Sequence, residues 1–168
     1  STLAFLTADL VWDSPVAIRQ GVNIEWFRTG IETDDGGAIY VWSDTKLGGR
    51  DLWAQKVDAN GNMVWGDPVL IDDKHDRQED PVITKTTNGD FIIAWVDFST
   101  DADGDIYAQK INNAGELLWQ EGGKPVCVNP GEQIGLNMEA DNDGGAFILW
   151  ADRRGIGYDI YGQRISAS

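Results

Sequence analysis

The chain has 168 residues, of which 42% are hydrophobic and 24% are charged, with 28 acidic against 13 basic side chains. The net charge of -15 repels nucleic acid phosphates and anionic lipids, which argues against DNA, RNA and membrane partners. No apolar run is long enough to span a bilayer, so membrane insertion is not expected. The single cysteine, Cys127, cannot form an internal disulfide and is expected to pack as a small hydrophobic residue.

Aromatic residues recur along the chain at an interval of about 54 residues. This periodicity indicates an internal repeat. Three series keep the same phase: Trp42, Trp95 and Trp150; Trp53, Tyr107 and Tyr161; and Trp12, Trp65 and Trp119. Because the last series begins at Trp12, the first residues already belong to a repeat.

Each repeat is predicted to contain four short strands, A to D, separated by turns rich in Gly, Asn and Asp. In the central repeat we place them near 81–86, at 91–96, at 106–111 and near 117–119. The chain then reads as a lone strand D (1–18), repeats at 19–72 and 73–128, and a last repeat at 129–168 that lacks its strand D. This division treats the chain as a single repeat array.

Strand B is apolar at nearly every position in each repeat, as expected for a strand covered on both faces. Strand C alternates between apolar and polar residues. A four-stranded unit that is covered on each face by a copy of itself is a propeller blade. The predicted fold is therefore all-β, with three four-stranded antiparallel propeller-type blades and an N-terminal orphan outer strand.

These motifs resemble the blades of TolB-type and related bacterial β-propellers. The shared pattern is a Gly-rich turn, a hydrophobic strand, an Asp with a polar turn, and then Asp-Ile-Tyr. It is present at 89–97 with 105–107 and at 143–150 with 159–161, and it is weaker where Leu52 and Trp53 replace Ile-Tyr. The chain also resembles the propeller tracts of secreted bacterial surface proteins. This resemblance implies a secreted or cell-surface protein that binds or scaffolds more often than it catalyses.

Three blades are too few to close a ring comfortably, and strands without partners at the two ends could pair with another chain. Three outcomes stay open: a closed ring of two chains, an open filament, or a piece of a longer propeller. A fourth, in which the orphan strand folds back onto the last blade of its own chain, is allowed by the lengths but is disfavoured by a ring of three blades. The expected partner is thus protein, through self-association. The residues predicted for this interface are Trp12, Val16, Ile18, Ile160, Tyr161 and Ile165.

The turn between strands B and C of the central repeat holds closely spaced carboxylates, from Asp97 through Asp101 and Asp103 to Asp105. Calcium is bound by such oxygen-rich loops. The alternative is a polar turn in which Asp side chains accept backbone N–H bonds. No cofactor is required by this interpretation, and calcium is the one candidate ion.

Trp26, Phe27 and Arg28 lie outside the recurring series, which are expected to form the core between blades, and are the predicted ligand surface. The lone His75 sits in a charged connection and is expected to be solvated. Because no catalytic constellation can be named, the predicted function is a non-enzymatic extracellular module for protein association. The alternatives are a calcium-dependent carbohydrate-binding module, which would bind glycan, and a fragment of a propeller hydrolase.

Overall fold

The protein is represented by a computed structural model that describes residues 12, 14–20 and 25–168. All regular structure in this part of the chain is β-strand. The strands are β1 (Glu25–Glu32), β2 (Ala38–Asp44), β3 (Asp51–Val57), β4 (Val69–Asp72), β5 (Gln78–Lys85), β6 (Phe91–Asp97), β7 (Asp105–Ile111), β8 (Lys124–Cys127), β9 (Gln133–Ala140), β10 (Ala146–Asp152) and β11 (Asp159–Ile165).

The strands form three antiparallel sheets that follow one another along the chain. The first sheet has the order β1-β2-β3-β4, the second β5-β6-β7-β8, and the third β11-β10-β9. Each sheet is a meander in which neighbours in sequence are neighbours in space, as expected where short turns join antiparallel strands. Two of the sheets therefore match the predicted four-stranded unit, and the third has three described strands.

The aromatic series occupy equivalent places in the three sheets, because their members pair across the two central strands. Trp42 lies opposite Trp53, Trp95 opposite Tyr107, and Trp150 opposite Tyr161. In the second sheet the paired rings stack with their centroids 6.4 Å apart. The third sheet repeats this stack at the same distance. The repeat in the sequence is thus a repeat in structure.

The position predicted for the outer strand is wrong in the central repeat. Leu117 forms only an isolated bridge with Ile111, and the outer strand β8 begins at Lys124. The side chain of Gln109 explains the interruption: it accepts the amide of Trp119 at 3.1 Å and donates to the carbonyl of Gln120 at 2.8 Å. These bonds replace the ladder with β7, so the chain rejoins the sheet only later.

Most of the predicted N-terminal outer strand, 1–18, lies outside the described residues. The part that is described, Trp12 and 14–18, contains no strand. Trp12 donates its indole N–H to the carbonyl of Ala59 at 2.8 Å, so it rests on the turn after β3 of the first sheet. A Cβ atom at Gly61 in that turn would lie 2.6 Å from Val16.

The hydrophobic core lies between the sheets. One cluster joins the first and second sheets and includes Ile39, Leu52 and Trp95. Another joins the second and third sheets and includes Ile92 and Ile148. Strand β5 packs against both β1 and β9, so the first strands of the three sheets form a common inner edge. In a propeller this edge borders the central channel.

The far face of the third sheet is open. Ile92 of β6 is fully buried against the third sheet, whereas Phe147, at the same position in β10, is 48% exposed. Leu149 and Ile160 are also exposed on β10 and β11. These residues have the pattern of a face between two sheets, although no described residue covers them.

Candidate functional site

All three inner strands have a register shift at equivalent positions of their sheets, opposite the aromatic series Trp42, Trp95 and Trp150. The pairing of β1 with β2 shifts between Trp26 and Arg28, that of β5 with β6 shifts between Glu79 and Val82, and β9 shifts in the same way against β10. A bulge of this kind bends the strand and turns side chains away from the regular pleat, and bulges are frequent beside active sites. The inner edge therefore carries three bulges side by side.

A cavity of about 360 Å³ lies at this level, and we call it the inner cavity. Its lining comes from all three inner strands: Arg28, Asp80, Pro81, Val82, Gly135 and Leu136. A concave site with an apolar wall and a few polar groups is the usual form of a small-ligand site. Asp80 and Arg28 are the charged groups of its lining.

Asp80 has an unusual backbone conformation, with φ at 49° in the left-handed region. Gly135, at the equivalent position in the bulge of β9, adopts the same left-handed region, with φ at 67°. An L-residue other than glycine pays an energetic penalty in this region, and such conformations cluster at functional sites. A carboxylate is thus held at a position where the neighbouring repeat has glycine.

The carboxylate of Asp80 is half-buried, and no described residue forms a hydrogen bond or an ion pair with it. Burial raises the pKa of Asp80 above its ordinary value. Desolvation has this effect because it disfavours the charged form of the acid. A carboxyl group of this kind can retain and donate a proton closer to neutral pH than an ordinary aspartate can.

The preceding residue, Glu79, is ion-paired, in contrast to Asp80. Its carboxylate forms ion pairs with Arg50 and, at 3.3 Å, with Arg77. Two guanidinium groups stabilise the ionised form of a carboxylate. The two adjacent acidic residues are therefore differently placed: Glu79 is paired with two arginines, and Asp80 has no partner among the described residues.

A larger cavity of about 730 Å³ opens at the same end of the sheets, and we call it the outer cleft. One wall is the turn between β2 and β3, and the other is the connection from β4 to β5. The residues that line it are Thr45, Leu47, Gly48, Gly49, Arg50, Asp51, Asp73, Lys74, His75, Asp76 and Arg77.

A charged cluster lies behind this connection, at the junction of the first two sheets. Lys74 Nζ is 2.9 Å from Asp97 Oδ2 and 3.4 Å from Asp72 Oδ2. Burial raises the pKa of Asp72 to about 7, with Lys74 opposing the shift and the Asp97 charge adding to it. Burial also acts to raise the pKa of Asp97, but hydrogen bonds from Ser99 and Lys74 outweigh it, so the pKa falls. Asp72 is therefore the more readily protonated member of this pair.

The predicted calcium loop forms a polar turn. Asp101 Oδ1 accepts the amides of Asp103 and Gly104 at 2.9 and 3.0 Å, and Asp105 accepts the hydroxyl of Thr100. Asp97, the other predicted ligand, is engaged with Lys74 and with the amide of Ser99. Within 12, 14–20 and 25–168, no three His, Cys, Asp or Glu side chains are grouped closely enough to hold a metal ion. Calcium binding stays a prediction of the sequence.

The structure separates the other predicted site residues. Arg28 reaches the inner cavity, whereas the side chains of Trp26 and Phe27 lie outside the described residues. In the predicted association interface, Ile160 is 73% exposed, while Tyr161 and Ile165 pack against the second core cluster. Trp12 and Val16 contact the first sheet of their own chain, as described above, and Ile18 is half-buried. Association through these residues is not tested by these contacts and stays a prediction.

Asp80 is not among the site residues predicted from the sequence. One local signal was available, since Pro81 falls at the start of predicted strand A, and proline inside a strand marks an edge or a bulge. The convergence of Arg28, Asp80 and Gly135 could not be found in the same way. These residues are far apart in the sequence and meet only because the three sheets stack.

Two solved structures share this fold. An endo-arabinase from Bacteroides thetaiotaomicron matches 86% of this chain with a TM-score of 0.53 and 14% identity, over 57% of its own length. The α-L-arabinofuranosidase PaAbf62A from Podospora anserina, in complex with cellotriose, matches 82% with a TM-score of 0.51 and 10% identity, over 53% of its own length. This chain thus spans little more than half of each protein. No family model and no curated protein matches the sequence.

These comparisons support a β-propeller-like fold and do not show the TolB-type family. They contradict the prediction of a non-enzymatic module for protein association, because the two similar structures are an endo-arabinase and an α-L-arabinofuranosidase. The prediction failed because it treated the lack of a motif in the sequence as the lack of a site. None of the described residues belongs to a helix that could cross a membrane.

Proposed function

We propose that this chain supplies three blades of a propeller glycoside hydrolase that cleaves arabinose-containing glycans outside the cell. The observation behind the proposal is that Asp80 lines the inner cavity with a half-buried carboxylate that no described residue pairs with. The two similar structures, an endo-arabinase and an arabinofuranosidase, favour this substrate class. A polymeric glycan substrate in turn favours a secreted or surface-exposed enzyme.

Hydrolysis of a glycosidic bond usually requires two carboxyl groups, one that donates a proton to the leaving oxygen and one that acts as base or nucleophile. Asp80 has the properties of the proton donor, because burial raises its pKa and no described cation forms an ion pair with it. The described lining of the inner cavity supplies one carboxylate only, so the second partner is left unassigned.

Arg28 has a different role in this proposal. Its side chain is exposed and lines the inner cavity together with Asp80. A guanidinium group offers several N–H donors in a fixed plane and can hold the hydroxyl groups of a sugar. Arg28 would therefore position the glycan against Asp80 without taking part in proton transfer.

The test is the release of reducing sugar from arabinan and arabinoxylan by the wild type and by Asp80→Asn. Asparagine tolerates the left-handed conformation, so the variant is expected to fold. Loss of a proton donor lowers the rate by about 10²-fold or more. Asp67→Asn, which removes an exposed carboxylate elsewhere, is the matched control and should leave the rate unchanged. A wild type that releases no sugar from either glycan would refute the proposal.

A further inference from the structure

The two walls of the outer cleft are joined by their backbones. Arg50 N donates to Asp76 O at 3.1 Å, and Gln78 N donates to Arg50 O at 2.8 Å. Gly49 fits between them because a Cβ atom there would overlap the carbonyl oxygen of Asp76. These backbone hydrogen bonds fix the distance between the two walls of the outer cleft.

Each cavity is lined by a non-glycine residue with positive φ. Among the described residues, the non-glycine residues with positive φ are Asp76, at 79°, and Asp80, at 49°. Asp76 lines the outer cleft and Asp80 lines the inner cavity. Strain of this kind is retained where the surrounding structure enforces it, often at ligand sites. The short segment from Asp76 to Asp80 thus belongs to both cavities.

The ion pairs of Glu79 connect the two cavities physically. Arg50 and Arg77 line the outer cleft, and both contact Glu79, which directly precedes Asp80. A ligand that contacts Arg50 or Arg77 in the outer cleft therefore lies beside the strand that carries Asp80. The outer cleft includes Arg77 and the inner cavity includes Asp80, which is three residues further along the chain.

The charges of the cleft disfavour an anionic ligand, since Asp51, Asp73 and Asp76 also line it. Arg50 and Arg77 are paired with Glu79, and Lys74 is paired with Asp97, so these cations do not present free positive charge. Paired groups still have N–H donors and carboxylate lone pairs for hydroxyl groups. Leu47 is 53% exposed in the same lining and offers an apolar surface for the C–H face of a sugar ring.

We infer that the outer cleft is a second glycan subsite, which holds further sugar units of a neutral polymer whose cleaved bond lies at the inner cavity. This inference rests on the proposed function for its substrate class. Together the cavities of about 360 and 730 Å³ extend the binding surface beyond what one or two sugars occupy. The enzyme would then favour long glycans over short ones.

The test compares arabino-oligosaccharides of increasing length on the wild type, Leu47→Ala and Leu118→Ala. Leu118 is 44% exposed and lies outside both cavities, so the same substitution there is a matched control. We expect the wild-type KM to fall as the chain lengthens. Leu47→Ala should raise the KM of the longest substrate by about five-fold, because apolar contact is lost, while kcat changes by less than about two-fold. Leu118→Ala should behave as the wild type.

Calorimetric binding of the same oligosaccharides separates this inference from the proposed function. If the wild type cleaves none of them but binds long ones more tightly, and Leu47→Ala removes the difference, the proposed function fails and the subsite stands. If affinity and KM do not depend on length, or if Leu47→Ala and Leu118→Ala behave alike, the subsite is overturned.

Discussion

Trp65 donates its indole N–H to the main-chain carbonyl of Asn113 at 3.2 Å, which ties the first sheet to the turn after β7 in the second. Trp12 makes the same bond to Ala59, one repeat earlier. A Cβ atom at Gly115 would lie 3.1 Å from the ring of Trp65, so glycine permits the close approach. Trp12 and Trp65 therefore link successive repeats through their indole N–H groups, whereas Trp119 has no such partner among the described residues.

The first prediction concerns the contact of Trp65 with the turn after β7. Trp65→Phe should lower the free energy of unfolding by about 1–2 kcal/mol, because it removes the hydrogen bond and part of a buried side chain. Urea denaturation followed by circular dichroism measures the change. Val64→Ala alters a neighbour that is 47% exposed and should change stability by less than about 0.5 kcal/mol. Equal effects of the two substitutions would show that the contact of Trp65 with the second sheet does not stabilise the protein.

The sequence predicted the two central strands of each repeat well, because the aromatic markers and the hydrophobic pattern are both local signals. It misplaced the outer strand, since the interruption depends on the side chain of Gln109. It also missed the inner cavity. That site depends on how the inner strands β1, β5 and β9 meet, and no local pattern encodes their contact.

A second prediction uses the repeat to compare equivalent positions. Ile92 and Phe147 occupy the same place in β6 and β10, but Ile92 is fully buried and Phe147 is 48% exposed. Ile92→Ala should lower the free energy of unfolding by about 2–4 kcal/mol, because it leaves a cavity between two sheets. Phe147→Ala should lower it by less than about 1 kcal/mol. Similar losses at the two positions would mean that the far face of the third sheet is covered.

A third prediction concerns pH. In the folded protein the pKa of Asp72 is raised to about 7 from 3.8. Between these values the folded protein holds a proton that the unfolded chain has lost. This group therefore makes the free energy of unfolding fall as pH rises from about 4 to about 7, and it adds no further change above that. Below about pH 4 both states are protonated.

Urea denaturation at several pH values between 4.5 and 7.5 tests this sign with Asp72→Asn. The variant cannot lose a proton, so it should gain stability relative to the wild type as pH rises. Other carboxyl groups whose pKa is raised, such as those of Asp51 and Asp105, affect the stability of both proteins alike. A difference between the two proteins that stays constant with pH would rule out a proton on Asp72.

A fourth prediction separates function from stability at Asp80. Asp80→Gly should raise the free energy of unfolding by about 1 kcal/mol, since glycine adopts the left-handed conformation without strain and the half-buried carboxylate is removed. The melting temperature, measured by calorimetry, reports the change. A clear loss of stability would instead assign Asp80 a structural role in the bulge.

The role of Asp80 as proton donor in glycan cleavage is tested by comparing two leaving groups in Asp80→Asn. An arabinan needs a proton on its leaving oxygen, whereas a 4-nitrophenyl arabinofuranoside needs almost none because nitrophenolate is a good leaving group. We predict that kcat/KM falls by about 10²-fold or more on arabinan but by less than about 10-fold on the nitrophenyl substrate. Equal losses on both substrates, or no loss on arabinan, would contradict the account.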